Sequence, residues 1–384
     1  MDKRAMIFEQ GPIRPPNEAR SLLLRFTRNC PWNKCSFCHV FKGRTFERRP
    51  VEEIKRDIDA VRAIIDDIHS LSWSLGGSGR ITQTVLNHVL TQPDYNECYR
   101  HVAMWHAYGN GGVFIQDANS LIMRTEDLSE VLTYLRKQAP GVRRVTSYGR
   151  SSTLARKSVE DLAAIRKAGL DRIHVGLESG SDAVLKFIHK GCTAEDHIEA
   201  GRKVVEAGLT LSEYIMPGIG GKKWTGEHAT ETAKVLNAID PHFIRLRSTR
   251  IPEPAPLYQD LMEGRFEPVS DDDMVREIRL MIDSLDGIHG TLTSDHIMNL
   301  LEEVEGSFPD DKQRMLDVID RYLALPDEER LLFRLGRRGG ALRTLDDLNN
   351  PMLRTRLEIA LRDLQAEMGG NIEMVLKELG DRYL

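Results

Sequence analysis

Two periods of apolar residues alternate along most of this chain. Short apolar runs of strand length, VFIQDA (113–118), RRVTSYG (143–149), RIHVGLES (172–179), TLSEYIMPG (210–218) and HFIRLRST (242–249), are each followed by stretches with apolar positions three and four apart. The first pattern predicts buried strands and the second amphipathic helices. An earlier run, SLLLRFTRN (21–29), reads as a strand passing into a loop, and Pro50 opens a helix whose apolar face is Val51, Ile54, Ile58, Val61, Ile64 and Ile65, since proline suits a first helical turn. Counting residues 21–29, this makes six β/α units. Repeated alternation implies a parallel sheet with helices outside. The expected fold is α/β, a partial (β/α)6 barrel of TIM type, with an open doubly wound sheet as the alternative.

Three segments depart from that pattern. Residues 1–20 are rich in proline and predict an irregular leader. Residues 69–112 hold GGSG and an aromatic and histidine patch (Trp73, Tyr95, Tyr99, Trp105, His106, Tyr108). They predict an irregular insertion, too long for an ordinary connection, that folds over the site. From 287 the spacing turns helical throughout, over 295–303, 311–323, 327–335 and 351–384, with a break at GRRGG (336–340). The expected organisation is a leader (1–20), a core (21–286) with its insertion (69–112), and a C-terminal helical appendage (287–384).

Composition adds little beyond exclusions. No apolar run approaches the roughly 20 residues needed to span a bilayer, and the amino terminus has no apolar core of a signal peptide. The cytoplasm is therefore the expected location. Basic residues gather between Arg20 and Arg56, while acids dominate 253–311. The basic stretch flanks a group of cysteines, so it reads as cations around an anionic centre rather than as a nucleic-acid surface.

Those cysteines are the chemical signal. Cys30, Cys35 and Cys38 fall within nine residues, in RNCPWNKCSFCHVFKG, while Cys98 and Cys192 stand far apart. Such bunching points to metal rather than to a disulfide framework. Thiolates in one loop can converge on an iron–sulfur cluster. Three ligands for four irons leave one iron open to a small molecule. A zinc site completed by a histidine is the alternative, although His39 adjoins Cys38 and neighbouring side chains rarely face one tetrahedral ion. The loop follows the first strand, at the carboxyl edge where parallel sheets bind ligands.

This loop resembles the cysteine motif of the radical S-adenosylmethionine (radical SAM) superfamily, in motif style nearest to the branch of oxygen-independent coproporphyrinogen oxidases and methylthiotransferases. The usual first gap is three residues; here it is four. The resemblance extends over about 21–286. It implies that Cys30, Cys35 and Cys38 hold a [4Fe–4S] cluster and that Phe37 packs on the adenine of S-adenosylmethionine. It places Gln116, Asp117 and Ala118 beside the ligand's amino group, where a carboxylate suits a cationic amine. Arg150 would pair with its carboxylate. Glu178 and Ser179 would reach its ribose or methionine part. Residue by residue, a helix or turn cap for Asp117 and Ser179 and a surface position for Arg150 are the plainer alternatives.

The implied activity is reductive cleavage of S-adenosylmethionine to a 5′-deoxyadenosyl radical that abstracts hydrogen from an organic substrate, small or lipid-like. The implied partner is an electron donor such as flavodoxin or ferredoxin; nucleic acid is not expected, and neither is a membrane span. Trp73, Trp105, Tyr108, Tyr148, Arg245 and Arg247 are candidates for lining a substrate site. The loop EYIMPGIGG (213–221) favours a porphyrin substrate as the alternative; a non-enzymatic iron–sulfur or zinc protein is a further one. Cys98 and Cys192 read as structural thiols.

Overall fold

The computed structural model describes residue 3, residues 6–367 and residues 372–381. Its strands are β1 (Leu22–Arg25), β2 (Thr27–Arg28), β3 (Glu47–Arg48), β4 (Gly112–Gln116), β5 (Arg144–Gly149), β6 (Arg172–Glu178), β7 (Thr210–Ile215), β8 (Phe243–Leu246), β9 (Thr291–Thr293) and β10 (Gly306–Ser307). The helices between β3 and β8 are α1 (Val51–Ser74), α2 (Gln83–Thr91), α3 (Glu97–Tyr108), α4 (Thr125–Gln138), α5 (Ser151–Leu154), α6 (Val159–Ala168), α7 (Asp182–Phe187), α8 (Ala194–Glu206) and α9 (Gly221–Ile239). Beyond β8 come α10 (Leu257–Met262), α11 (Asp271–Asp283), α12 (Lys312–Leu323), α13 (Asp327–Arg338), α14 (Pro351–Glu367) and α15 (Ile372–Asp381).

The chain divides into two units. The first comprises residues 1–33, 40–175 and 199–211, and the second 34–39, 176–198 and 212–384. In the first, β1, β4, β5 and the start of β6 pair in parallel, with Leu24 opposite Ile115 and Phe114 opposite Thr146. The strands β1 and β4 are apolar and buried almost from end to end, as parallel strands covered on both faces must be. The helix α1 buries Ile54, Ile58, Val61, Ile64, Ile65 and Ile68 along one stripe, each contributing roughly 1.5–3 kcal/mol.

In the second unit β7, β8 and β9 are parallel, and β10 returns antiparallel to β9. The strands β6 and β7 belong to both units. They are joined in the first by the Thr210 N–H to Asp171 carbonyl bond (2.9 Å) and in the second by Met216 N–H to the Glu178 carbonyl (3.0 Å). Among the described residues no ladder closes β10 onto β1. The fold is thus α/β, with a mostly parallel sheet and a partial rather than closed barrel.

Three expectations need correction. Residues 69–112 are largely helical: α1 runs to Ser74, and α2 and α3 follow. The Thr82 hydroxyl and the Asn96 amide oxygen accept the Val85 and Tyr99 N–H groups as N-caps, a local signal masked by the aromatic residues around it. The region after 287 is not helical only, because β9 and β10 extend the sheet. Within it 295–303 form no helix; the Asn299 side chain instead bonds Ser248 N–H (3.0 Å) and the Leu246 carbonyl (2.9 Å). Helices do occupy most of 312–381, α13 continuing through Gly336. Residues 368–371 and 382–384 of the expected last helix, and residues 1, 2, 4 and 5 of the leader, lie outside the described residues. No described helix is long and apolar enough to cross a membrane.

Candidate functional site

In the first unit the residues gather around the end of β4. The backbone turns there into the left-handed region, Asp117 having φ 69°, a conformation costly for a residue with a side chain and concentrated at functional sites. Asp117 is fully buried. Its Oδ2 accepts the Asn29 N–H at 2.6 Å and lies 2.6 Å from Nη2 of Arg25. Asn29 immediately precedes Cys30, so the strand-end carboxylate fixes the entrance of the cysteine loop. Burial pushes the Asp117 carboxyl above its ordinary value, against the pull of Asn29 and Arg25. Its other oxygen, Oδ1, is buried and has no hydrogen-bond partner among the described residues.

Gln116 is committed elsewhere. Its carbonyl oxygen accepts the Gly11 N–H (2.8 Å) and its amide donates to the Gly11 and Ile13 carbonyls (both 2.9 Å). The leader is thus pinned to β4, and Glu9 adds ion pairs to Arg25 (2.8 Å) and Arg28 (2.5 Å). Ala118 is half-buried. Asn119, which sequence reasoning missed, is fully buried and links two strand ends, donating to Thr153 Oγ1 (2.8 Å) and accepting the Arg150 N–H (3.1 Å). The Arg150 guanidinium lies 5.3 Å from the ring centre of Trp32, inside the cysteine loop. Within that loop Asn33, at φ 52°, donates its N–H to the Cys30 sulfur (3.3 Å), and its amide group bonds the Phe41 carbonyl (2.5 Å).

In the second unit the rest of the loop is held from both sides. Ser36 N–H donates to the Ile188 carbonyl (2.9 Å), and the Leu257 N–H donates to the Ser36 carbonyl (2.8 Å). Cys35 is buried, and Phe37 packs against the cluster of Val184, Ile188, Met216 and Phe266. Glu178, at φ 61°, closes β6 and accepts from Lys190 (2.8 Å), whose ammonium also lies 5.8 Å from the Phe37 ring centre. Ser179 is fully buried. Its oxygen accepts the Ser181 N–H (3.1 Å) and lies 2.8 Å from His228 Nδ1. Burial holds the His228 imidazole below its ordinary pKa, and its Nδ1 and the Ser179 hydroxyl share one buried hydrogen bond. The hydroxyl is therefore spent inside the protein. His228 and Glu277, the latter bonding Gly218 N–H (2.6 Å) and Thr225 (2.5 Å), were not singled out by sequence; isolated polar residues on helices give no such signal.

The aromatic candidates do not form one lining. Trp73 and Tyr108 are largely exposed, and Trp105 is buried with its indole N–H on the Gly112 carbonyl (2.8 Å). Arg245 is buried against Ser212, Thr293 and Asp295.

Among the described residues none of the three loop cysteines is in a disulfide. Among the described residues no three His, Cys, Asp or Glu converge on a single metal ion; a cubane, with a separate iron for each thiolate, needs no such convergence. The donor set suits a cluster, and the bare buried Oδ1 of Asp117 suits the ammonium of an amino acid moiety.

Comparison with known proteins bears on the fold family rather than on these individual residues. A family model described as the radical SAM superfamily matches residues 92–235, from before α3 into α9, downstream of the cysteines. Residues 92–235 thus match as a radical SAM domain. Enzymes of that superfamily use a [4Fe–4S] cluster and S-adenosylmethionine. Over 122 residues it is 25% identical to a tRNA uridine(34) acetyltransferase of Methanocaldococcus infernus, covering 32% of this chain and 23% of that protein. The counterpart from Methanocaldococcus jannaschii is 22% identical over 120 residues, 31% of this chain and 22% of that one. The matched stretch thus spans less than a quarter of either relative. The solved coproporphyrinogen III oxidase of Escherichia coli shares 13% identity at a TM-score of 0.44, covering 73% of this chain and 54% of that one, too distant a likeness to favour a porphyrin substrate.

Proposed function

We propose that this chain is a radical SAM enzyme that holds a [4Fe–4S] cluster on Cys30, Cys35 and Cys38 and acts on an organic small-molecule or lipid-like substrate, with electrons from a small redox protein of the flavodoxin or ferredoxin class. When bound, the cluster and S-adenosylmethionine would together supply a 5′-deoxyadenosyl radical for hydrogen abstraction. The observation that carries this reading is the three-cysteine loop, tied down on both sides of its first and second cysteines by Asp117 and by Ile188 and Leu257. The protein's part is orientation. The Asn33 N–H steadies the Cys30 thiolate, since hydrogen bonds to sulfur tune such clusters. Asp117 Oδ1 offers an acceptor to the amino group of S-adenosylmethionine, while Ala118 leaves room beside it and Gln116 holds the leader. Arg150 offers a cation for its carboxylate, Phe37 an apolar face for adenine, and Glu178, steadied by Lys190, an acceptor for ribose hydroxyls; Ser179 acts through His228.

The core (21–286), insertion (69–112) and C-terminal region (287–384) are carried in this proposal as the domain organisation, and the cytoplasm as the location. A tRNA substrate is the second reading, supported by the names of the two archaeal relatives. The test is anaerobic: the reconstituted, dithionite-reduced protein is given S-adenosylmethionine and 5′-deoxyadenosine is measured. The native chain is expected to form it and Cys35→Ala to lose at least roughly 100-fold, about the loss of a whole catalytic group. Equal product from both proteins would refute the ligand assignment.

A further inference from the structure

The second unit contains a cavity of about 260 Å³ that the proposed chemistry does not use. It opens beyond the carboxyl ends of β7 and β8, at Gly218 and at Thr249–Ile251, the edge of a parallel sheet where ligands bind. Its size approaches that of small-molecule pockets, which begin at roughly 300 Å³. One wall is apolar, made by Phe266, Val269, Met274 and Leu376.

The charged part of the lining is unevenly satisfied. Asp271 accepts from Arg338 (2.7 Å) and lies near Arg334 (3.4 Å) and Arg250 (3.8 Å). That carboxylate is buried, and its surrounding guanidiniums hold it below its ordinary pKa despite the cost of burial. Arg334 is itself buried on α13, with only 10% of its side chain exposed, and its second carboxylate partner is Glu373 of α15, at 2.5 Å. Glu373 is different in kind: 69% of its side chain is exposed. An ion pair with one partner that wet contributes little and is readily exchanged. The cavity therefore presents a buried guanidinium whose outer partner is a loosely held carboxylate, beside an apolar wall.

We propose that this cavity binds an organic acid with an apolar body, that Arg334 pairs with its carboxylate, and that Glu373 takes the place of that carboxylate when the acid is absent. A guanidinium fits a carboxylate in two-pronged fashion, and the apolar wall accepts the remainder of the molecule. As the seat of the substrate, this rests on the radical reading above; as a binding site it does not.

The full chain, as purified, is titrated calorimetrically with 4-phenylbutanoate and with 4-phenylbutanamide. The acid is expected to bind at least tenfold tighter than the neutral amide. Glu373→Gln, a change at an exposed position, is expected to tighten the acid by up to about fivefold, the release of one exposed pair, and to leave the amide unchanged. Arg334→Gln is expected to bring both to the same weak affinity; its fold is checked by circular dichroism, and if it does not fold the acid-to-amide ratio and Glu373→Gln decide. Equal binding of acid and amide, no binding of either at millimolar concentration, or an unchanged or weakened acid affinity in Glu373→Gln overturns the proposal. The titration needs neither cluster nor reductant, and the 5′-deoxyadenosine assay needs no organic acid, so the two readings fail separately.

Discussion

Asp117 has two unlike oxygens in one side chain. One oxygen receives the Asn29 N–H and Arg25, anchoring the residue before Cys30, and the other is bare. Removing the carboxylate strands the Asn29 N–H and takes from Arg25, only 13% exposed, one of its two carboxylate partners, Glu9 remaining. Leaving such a donor unpaired costs about 1–3 kcal/mol. Asp117→Ala is therefore expected to lower denaturant stability by about that amount and to cut the iron retained after anaerobic reconstitution. Asp117→Asn keeps an acceptor for Asn29, so it should hold most of the iron while raising the KM for S-adenosylmethionine, because a neutral amide pairs poorly with an ammonium. Iron content separates anchoring from ligand contact. If Asp117→Ala binds iron like the native chain and melts where it does, the anchoring role is wrong.

Single polar contacts fasten one element to another in this fold, and α3 is a clear case. His101 on α3 accepts the Leu23 N–H of β1 at 3.1 Å through Nε2. Burial, aided by Arg14, lowers its pKa from 6.5 to about 4. The unfolded chain takes up a proton near pH 6.5 that the folded chain refuses until about pH 4. Stability should thus be flat above pH 6.5 and fall as pH drops towards 4, by up to about 3 kcal/mol for this group. Urea midpoints from pH 7.5 to 4.5 check it. His101→Gln, whose side-chain carbonyl can still accept from Leu23, should remove that part of the slope; a slope unchanged by the substitution would exclude His101 as its source. The same contact explains why 69–112 is ordered: α3 is fastened to the first strand and, through the Tyr99 hydroxyl on Asp67 (2.6 Å), to α1.

On the scale of the molecule the question is the substrate. The net formal charge is −5, and a nucleic-acid enzyme draws most of its affinity from phosphate contacts. Much of the basic stretch near the cysteines is already paired: Arg25, Arg28 and Arg49 bind Glu9, Glu47, Glu53, Asp57 and Asp117. Unfractionated tRNA is accordingly expected to leave the rate of 5′-deoxyadenosine formation unchanged within about twofold at roughly 0.15 M salt. A tenfold stimulation by tRNA would move the assignment to the second reading.

The three-cysteine loop, the strand–helix alternation and the likeness to the radical SAM superfamily were legible in the sequence because each is a local signal: ligand spacing, a period of two or 3.6, and turn residues at strand ends. The positions of Gln116, Asp117, Glu178 and Ser179 at their strand ends were legible for the same reason. What each of those side chains touches was not. That Gln116 is spent on Gly11 and Ile13, that Ser179 answers to His228 on a distant helix, and that Glu373 shares a guanidinium with Asp271 are contacts between segments remote in the chain, and no short-range pattern encodes them. The sequence carries which groups are available near each strand end; only the tertiary packing decides which of them are already satisfied, because a buried hydrogen bond is settled by what folding brings alongside.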